Sequence, residues 1–311
     1  MSTPTETGET GGASETSETG GKTGKEQMTR EVRRSSNSFL GDVWVNFKRW
    51  NIKAVRNPFV LVTSLVQPII FLILFTQVFG AVATSAINTG GSGSITYETF
   101  LVPAIAIQVA LASAVTSGIG LVNDIEEDVF EKVLVMPMNR AAVFAGKSAA
   151  EILRIVVQIA IILGLGVLLG AEIATGLAGA IGIMAIGLLF SVWFLAYSNI
   201  LAVLTKDQES TIIGANILQF PLLFLSSAFL PLESLPGWIQ VVAAFNPVTY
   251  GVDAARALVL GRDVMTVLEV SAFGGIWDTL IPTLLILAVL DLALGGLAVF
   301  LLTRATSSDA K

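Results

Sequence analysis

The sequence contains neither cysteine nor histidine among its 311 residues. These absences exclude disulfide bonds, Cys/His zinc sites and hydrolases that use a Ser-His or Cys-His nucleophile pair. Charge is also scarce: 14% of the residues are Asp, Glu, Lys or Arg, whereas soluble domains contain about 25%. With 53% apolar residues and a mean hydropathy of +0.77, most of the chain is suited to lipid rather than to water.

The first 38 residues differ from the rest, because they are rich in Thr, Ser, Gly and Glu and nearly free of large apolar side chains. Such a segment cannot bury enough surface to offset the entropy of ordering, so we expect residues 1–38 to form a disordered cytoplasmic tail. Residues 39–57 have apolar side chains three and four positions apart, with Lys48, Arg49 and Lys53 on the other side. This pattern favours an amphipathic helix in the membrane interface over a cytosolic helix packed on protein.

Six apolar stretches follow, each long enough to cross a hydrocarbon core of about 30 Å. Glu151 and Arg154 fall at the start of the third stretch, where we expect them to reach the membrane surface. The predicted fold class is an all-α membrane protein, with six transmembrane helices within residues 58–305 and a cytoplasmic tail at residues 306–311. The predicted spans are Phe59–Gly80, Phe100–Val122, Ala149–Gly170, Gly176–Leu204, Thr211–Leu230 and Thr279–Thr303.

The basic residues predict the orientation of these spans. If the N-terminus is inside the cell, 16 of the 18 Lys and Arg residues fall on inner segments, and the other two are Arg256 and Arg262. Inner loops of membrane proteins are enriched in Lys and Arg. We therefore expect a multi-pass protein of the cell membrane with both termini in the cytoplasm.

The inner loop between the second and third spans carries a short helical pattern over residues 124–136. Pro137 ends the pattern, because proline has no amide hydrogen to donate to a helix. A short helix here is a candidate docking element for a soluble partner, and the alternative is a helix that rests on the membrane. An anionic membrane surface would repel its acidic side chains, which favours docking. These side chains are Asp124, Glu126, Glu127, Asp128 and Glu131.

The outer segment between the fifth and sixth spans, residues 230–263, is too apolar for free solvent and too short to cross the membrane twice. Trp238 and Phe245 lie on one face of a first short helix, Asn246-Pro247 breaks it, and Val248–Leu260 can form a second helix. Two short helices around a proline break predict a re-entrant or interfacial hairpin. The alternative is an aqueous lid.

Two further features bear on chemistry. Asp291 lies near the middle of the sixth span, where a carboxylate is either a proton relay or substrate contact, or a protonated or hydrogen-bonded group facing other helices. Gly146-Lys147-Ser148 is similar to the end of a P-loop, but Ala141 stands where that motif requires glycine, and no buried strand precedes it. We therefore expect this chain to bind no ATP, no other cofactor and no metal ion.

Two stretches resemble the signature regions of ABC type-2 exporter permeases, in particular the daunorubicin-resistance-type drug and lipid exporters. They are EKVLVMPMNRAAVFAGKSAAEIL (Glu131–Leu153) and PLESLPGWIQVVAAFNPVTYGVDAARALVLG (Pro231–Gly261). The resemblance implies a half-transporter with six spans, two permease copies around a pathway, and separate cytosolic ATPase subunits that bind ATP and magnesium. It also implies that residues 39–57 are the interfacial connecting helix. The outer hairpin residues on its pattern are Pro236, Gly237, Trp238, Asn246, Pro247, Tyr250, Asp253 and Arg256.

The resemblance further implies that the acidic loop is the coupling helix, which docks the ATPase. Where the family usually has a basic residue this chain has Ile125, and where it has a Gly-Thr pair this chain has Asp128-Val129. These departures imply an ATPase with a matching basic groove. The residues that fall on the coupling-helix region are Asp124, Glu126, Glu127, Glu131, Lys132, Leu134 and Pro137.

The functional prediction is therefore an exporter subunit that moves a drug, lipid or polymer precursor outward and is not itself an enzyme. The expected partners are a cytosolic ABC ATPase, a second permease copy and membrane lipid, with no nucleic acid. A second hypothesis is a gradient-driven secondary transporter that uses Asp291 as its proton site. A membrane-embedded hydrolase is disfavoured, because the spans contain no paired carboxylates.

Overall fold

The computed structural model describes residues 39–56, 58–89, 95–126, 140–268 and 271–308, and these residues form helices joined by short connections, without strands. The predicted tail at residues 1–38 lies outside the described residues. The helices are α1 (Phe39–Arg56), α2 (Pro58–Thr89), α3 (Tyr97–Glu126), α4 (Arg140–Leu168), α5 (Gly176–Thr205), α6 (Gln208–Phe224), α7 (Gly237–Phe245), α8 (Pro247–Leu260) and α9 (Ile276–Ser308).

Five helices in the described part of the chain are long and apolar enough to cross a membrane. The predicted fifth span, Thr211–Leu230, is not among them, because α6 has 17 residues and the chain leaves the helix after Phe224. Apolar composition continues to Leu230, but the backbone does not continue as a helix. The apolar segments of the five helices are Leu61–Thr84, Tyr97–Asn123, Ala145–Leu168, Gly176–Thr205 and Ile276–Ala298.

Two predicted boundaries differ from the structure around the inner loop. The apolar segment of α4 begins at Ala145, four residues earlier than predicted, so Glu151 and Arg154 lie within it rather than at its end. The predicted inner helix at 124–136 does not begin separately, because residues 124–126 are the last residues of α3. The rest of that prediction, residues 127–136, lies outside the described residues.

Helix α3 forms the centre of the bundle. It packs against α5 over most of its length and also contacts α2, α4, α6 and α8. Every residue from Leu101 to Leu111 is buried, which fits a helix that is apolar on all sides. Close approach to α5 requires a glycine at position 118, since a Cβ there would lie 2.8 Å from the backbone oxygen of Ser198.

Helices α5 and α6 are joined by a tight turn. Lys206 has a φ of 50°, in the left-handed region, and ends α5. Asp207 then caps α6, because its Oδ2 accepts a hydrogen bond from the backbone N–H of Ser210 at 2.7 Å. Hydrogen bonds from the side chain and backbone of Ser210 lower the pKa of the exposed Asp207 carboxyl, so this cap is charged at neutral pH.

Helix α1 packs against the first turns of α4. A Cβ on Gly146 would lie 2.7 Å from the carbonyl oxygen of Val43 and 2.9 Å from the amide nitrogen of Phe47, so the two backbones meet at this glycine. Gly146-Lys147-Ser148 therefore lies inside a helix that begins at Arg140, and its amides do not form the open loop that holds phosphate in a P-loop.

We expect Gly146→Ala to destabilise the packing of α1 on α4. The added methyl group would overlap two backbone atoms, and overpacking of this kind costs about 1–3 kcal/mol. Gly164→Ala is the matched control, because nothing lies within 4 Å of a Cβ at that position of the same helix. Thermal unfolding of the detergent-purified proteins should give a lower melting temperature for Gly146→Ala alone. Equal melting temperatures would contradict the contact.

Candidate functional site

The chain beyond α6 is irregular but buried. After Phe224 no helix forms until the short 3-10 helix Leu232–Ser234, yet Ser226, Ser227 and Ala228 are each at most 3% exposed. Backbone carbonyls in such a segment have no helical partner, and an unpaired polar group away from water costs free energy. The hairpin residues predicted from the sequence supply the missing partners.

Asn246 joins the end of α6 to the start of α8. Its Nδ2 donates to the carbonyl oxygens of Leu222 at 2.6 Å and Leu225 at 2.8 Å. Its Oδ1 accepts from the backbone N–H of Val248 at 2.9 Å, which caps α8, and Pro247 occupies the first helical position, where no amide is needed. One buried side chain thus holds two helix ends together.

Arg256 binds the irregular segment directly. Its Nη2 donates to the carbonyl oxygens of Ser227 at 2.7 Å and Ala228 at 2.8 Å, and its Nε donates to the carbonyl oxygen of Phe100 at 3.1 Å. The guanidinium carbon also lies 3.5 Å from the centre of the Phe100 ring. Because Arg256 is 2% exposed, a full charge is held inside the protein by two helices and a loop.

Asp253 provides the opposite charge, one helical turn before Arg256. Its Oδ1 lies 3.7 Å from Nη1 of Arg256 and accepts from the hydroxyl of Ser227 at 2.9 Å. Its Oδ2 accepts from the backbone N–H of Thr266 at 2.9 Å and from its hydroxyl at 2.6 Å. The buried pair therefore also ties the segment after α8 to the end of α6. We name Asn246, Asp253 and Arg256 the outer polar clamp.

Two tyrosines complete the outer region. The hydroxyl of Tyr97 donates to the carbonyl oxygen of Phe229 at 2.8 Å, and that of Tyr250 donates to the carbonyl oxygen of Ala244 at 2.7 Å. Tyr97, at the start of α3, is a contact that the sequence pattern did not indicate. These groups hold structure rather than perform chemistry.

Helices α7 and α8 occur where the sequence predicted them, around Asn246-Pro247. They differ in burial. Trp238 is 63% exposed and Phe245 is 86% exposed, so α7 has an uncovered apolar face, whereas α8 is almost wholly buried. Pro236 precedes α7 and Gly237 is its first residue. Entry of this hairpin into the bilayer stays a prediction.

A polar cavity lies between α2, α3 and α6, with a volume of about 230 Å³. Its lining contains amides and hydroxyls but none of the four charged residue types, and the sequence analysis did not identify it. The glutamine and asparagine residues within apolar stretches of the sequence could have indicated this cavity. The lining residues are Thr63, Ser64, Gln67, Ala112, Val115, Thr116, Asn216 and Gln219.

A row of polar side chains on α4 packs against α3, and one of them, Gln158, also contacts the cavity residue Ser64. Glu151 accepts from the hydroxyl of Ser117 at 2.9 Å, and Nη2 of Arg154 donates to the carbonyl oxygen of Ser113 at 3.3 Å. Gln158 accepts from the hydroxyl of Ser113, and its Nε2 donates to the hydroxyl of Ser64 at 2.5 Å. The charged pair therefore finds protein partners inside the bundle, which corrects the expectation that it would reach the membrane surface.

The predicted docking residues are described only at the start. Glu126 is exposed at the end of α3, and its Oε2 accepts from Nε2 of Gln208 at 3.0 Å. The same nitrogen donates to Oδ1 of Asn123 at 2.5 Å, which links the end of α3 to the start of α6. Asp124 is in the last turn of α3. The other predicted docking residues, Glu127, Glu131, Lys132, Leu134 and Pro137, lie outside the described residues.

Asp291 lies within the apolar segment of α9 and is partly buried. Its Oδ1 has no hydrogen-bond partner among the described residues. Groups of three or more acidic residues that could hold a metal ion do not occur in the described part of the chain. The structure brings Asn246, Asp253 and Arg256 together, and it does not bring Asp291 into that cluster.

The described residues form a helical bundle in which five helices are long and apolar enough to cross a membrane, as expected of a multi-pass membrane protein. Comparison with known proteins gives the family. The model of the ABC-2 type transporter matches residues 41–260, which is more than half of the chain, so this protein belongs to the ABC-2 type transporter family.

Several relatives have names that concern transport. The chain is 32% identical over 222 residues to the daunorubicin resistance ABC transporter permease protein DrrB1 of Streptomyces coeruleorubidus, covering 69% of this chain and 75% of the relative. It is 28% identical to the putative transport permease ycf38 of Cyanophora paradoxa, covering 75% and 79%. It is 25% identical to the probable doxorubicin resistance permease DrrC of Mycobacterium tuberculosis, covering 75% and 82%. The protein is therefore a membrane permease of this family.

We expect Arg256→Gln to destabilise the protein strongly. Loss of the guanidinium leaves the Asp253 carboxylate buried beside unpaired carbonyl groups, and breaking a buried pair typically costs about 3–5 kcal/mol. The matched control is Arg262→Gln, at a half-buried position just after α8. Denaturation of the purified proteins in detergent should show a large loss for Arg256→Gln and a change of about 0.5 kcal/mol or less for the control. Equal stabilities would contradict the outer polar clamp.

Proposed function

We propose that this permease is the membrane-spanning half of an ATP-driven exporter and moves a hydrophobic or amphipathic substrate outward with energy from a separate ATPase subunit. Membership of the ABC-2 type transporter family supports this proposal. The observation that carries it is the uncharged cavity between α2, α3 and α6, in which amide and hydroxyl side chains interrupt an apolar lining, as the wall of a substrate pathway would require.

The cavity lies on the side of a single chain. Thr63 is exposed, and Ser64, Gln67 and Asn216 are half-buried. The hydroxyls of Thr63 and Ser64 donate to backbone carbonyl oxygens of α2, whereas the amide groups of Gln67 and Asn216 would lose hydrogen bonds to water if they faced lipid. A second copy of the permease placed against α2 and α6 would cover them and enclose the pathway between two equivalent walls.

Apolar side chains border the cavity on both helices. Val62 on α2 is 54% exposed, and Ile213 and Ile217 on α6 are 52% and 69% exposed. A ring of apolar side chains around a polar centre is suited to a two-fold interface between helices in a membrane. We therefore propose a homodimer that meets at this face.

The lining also bears on substrate class. Amides and hydroxyls can bind many polar groups weakly, and a lining without fixed charge does not select substrates by one sign of charge. This chemistry fits drugs or lipids with a large apolar body. The relatives named for daunorubicin and doxorubicin resistance make a fluorescent anthracycline a suitable first probe.

Energy would enter at the inner loop. We propose that residues 124–137 dock a cytosolic ATPase, which binds ATP and magnesium, and that its acidic side chains contact a basic groove. The loop joins α3 to α4. Helix α3 contributes Thr116 to the cavity wall, and α4 reaches the wall through Gln158 and Ser64.

In this mechanism, closure of two ATPase subunits tilts the docked loops, and the helices joined to them rock so that the pathway opens outward. Gln208 would pass the same movement to α6, because it binds Asn123 and Glu126 at the end of α3. The outer polar clamp keeps the far end of α6 attached to α8 during this movement.

We propose that α6 and the irregular segment after it together make the sixth crossing. At 1.5 Å per residue, the 17-residue helix α6 is about 25 Å long, which is near the lower limit for a span. Both termini would then be cytoplasmic, with α1 as an interfacial connecting helix and α7–α8 as a re-entrant hairpin on the outer side.

The unpaired Oδ1 of Asp291 favours a second candidate function, a gradient-driven carrier.

We expect Glu131→Lys to weaken docking of the ATPase. Reversal of one charge in an acidic docking segment places like charges opposite each other across the interface. The matched control is Glu31→Lys, which makes the same charge change in the N-terminal tail. With the proposed partner ATPase, binding and permease-stimulated ATP turnover should fall several-fold for Glu131→Lys and stay unchanged for Glu31→Lys. Unchanged turnover in both variants would contradict the proposed docking segment.

The absence of native cysteine permits a direct test of the homodimer. We expect Thr63→Cys, beside the cavity, to form cross-linked dimers with a short bismaleimide in native membranes. Leu285→Cys is the control, because Leu285 is 63% exposed on α9 and does not line the cavity. Dimers on a denaturing gel for Thr63→Cys alone would support the proposed interface. Efficient cross-linking through Leu285→Cys alone would contradict it.

A further inference from the structure

Helix α1 has two different faces. Asp42 and Asn46 are each 3% exposed, so the side of α1 that packs against the bundle contains polar groups. The apolar side points away from the bundle, where Leu40 is 75% exposed, Trp44 63% and Val55 79%. A soluble protein would expose the polar side and bury the apolar one. The reversed arrangement in α1 requires an apolar occupant outside the bundle.

The depth of α1 is fixed by its contact with α4. The two backbones meet at Gly146, the second residue of the apolar segment Ala145–Leu168. Lys147, the next residue, has its Nζ 3.9 Å from the position of a Cβ on Gly120, near the end of the apolar segment Tyr97–Asn123. With these two segments as membrane spans, α1 would lie at the boundary between hydrocarbon and headgroups.

Two ammonium groups from different helices meet one aromatic ring at this boundary. Nζ of Lys53 on α1 lies 5.0 Å from the centre of the Trp50 ring, and Nζ of Lys147 on α4 lies 5.3 Å from it. These distances limit the separation of the two nitrogens to about 10 Å. Tryptophan is favoured at headgroup depth, and lysine there attracts anionic lipid.

We propose that Trp50, Lys53 and Lys147 form a binding site for the phosphodiester of one anionic phospholipid, whose acyl chains extend along the exposed apolar face of α1. The headgroup would be held between α1 and α4 and would strengthen their contact. A soluble acidic protein fits less well, because it would leave Leu40, Trp44 and Val55 in water. The site concerns a lipid that stays bound, so it goes beyond the proposed export of a substrate.

The charge of α1 supports an anionic ligand. From Lys48 to Arg56 the helix carries Lys48, Arg49, Lys53 and Arg56 and no acidic residue. Lys48 and Arg49 are exposed on the same helix, whereas the ammonium groups that lie over the Trp50 ring are those of Lys53 and Lys147. This difference separates a discrete site from general attraction to a negative surface.

The test measures binding of dioleoyl phosphatidylglycerol and dioleoyl phosphatidylcholine to the purified full-length permease in detergent, by native mass spectrometry. The double variant Lys53→Gln with Lys147→Gln should lose phosphatidylglycerol affinity by about tenfold or more. The control double variant Lys48→Gln with Arg49→Gln removes the same charge and should change the affinity less than about threefold. Phosphatidylcholine should bind weakly to every variant.

Three results would overturn the proposal: equal affinity for the two lipids, equal losses in both double variants, or no loss in either. Equal losses would indicate general electrostatic attraction to the membrane surface. The single variant Lys53→Gln, at an exposed position, should also lose affinity for phosphatidylglycerol several-fold. It therefore tests the site even if a change at Lys147 disturbs folding. The assay contains no ATPase, so its outcome is independent of whether the proposed exporter function is correct.

Discussion

The carbonyl groups released where α6 ends impose the constraint on which the outer half of the molecule depends. They lie in buried, irregular backbone, where water cannot serve as their partner, so side chains from other elements must donate to them. Asn246 donates hydrogen bonds to the carbonyl oxygens of Leu222 and Leu225, and Arg256 donates to those of Ser227 and Ala228. Arg256 in turn requires a counter-charge, which Asp253 supplies from the same helix. Asp253 and Arg256 lie on the short, buried helix α8, and Asn246 caps its first turn.

Much of the helical organisation could be predicted from the sequence. Long apolar runs gave α5 to within one residue at its end, and Asn246-Pro247 located the break between α7 and α8. The end of α6 could not be predicted in this way. Hydropathy measures composition, and apolar composition continues past Phe224, whereas the backbone leaves the helix to meet partners 20 to 30 residues later in the chain.

The environment of the polar groups inside the bundle was also hard to predict, because their partners lie on other helices. Glu151 and Arg154 were expected at the membrane surface, because their partners, Ser117 and Ser113, lie on α3 and become neighbours only in the folded bundle. The cavity combines side chains from α2, α3 and α6, which no local pattern relates. By contrast, Asp253 and Arg256 lie three positions apart in one short helix, so their spacing alone puts them on the same face.

Charge is thus distributed unevenly along the molecule. The buried pair on α8 stabilises the outer end, the proposed pathway wall between α2, α3 and α6 has no charged lining residue, and the acidic inner loop is the proposed site of energy input. Transport of a fluorescent anthracycline in proteoliposomes that contain the permease and its proposed partner ATPase tests this mechanism most directly. ATP-driven export predicts transport that requires ATP and persists when an uncoupler removes the proton gradient. Transport that proceeds without ATP and collapses with the uncoupler would contradict it.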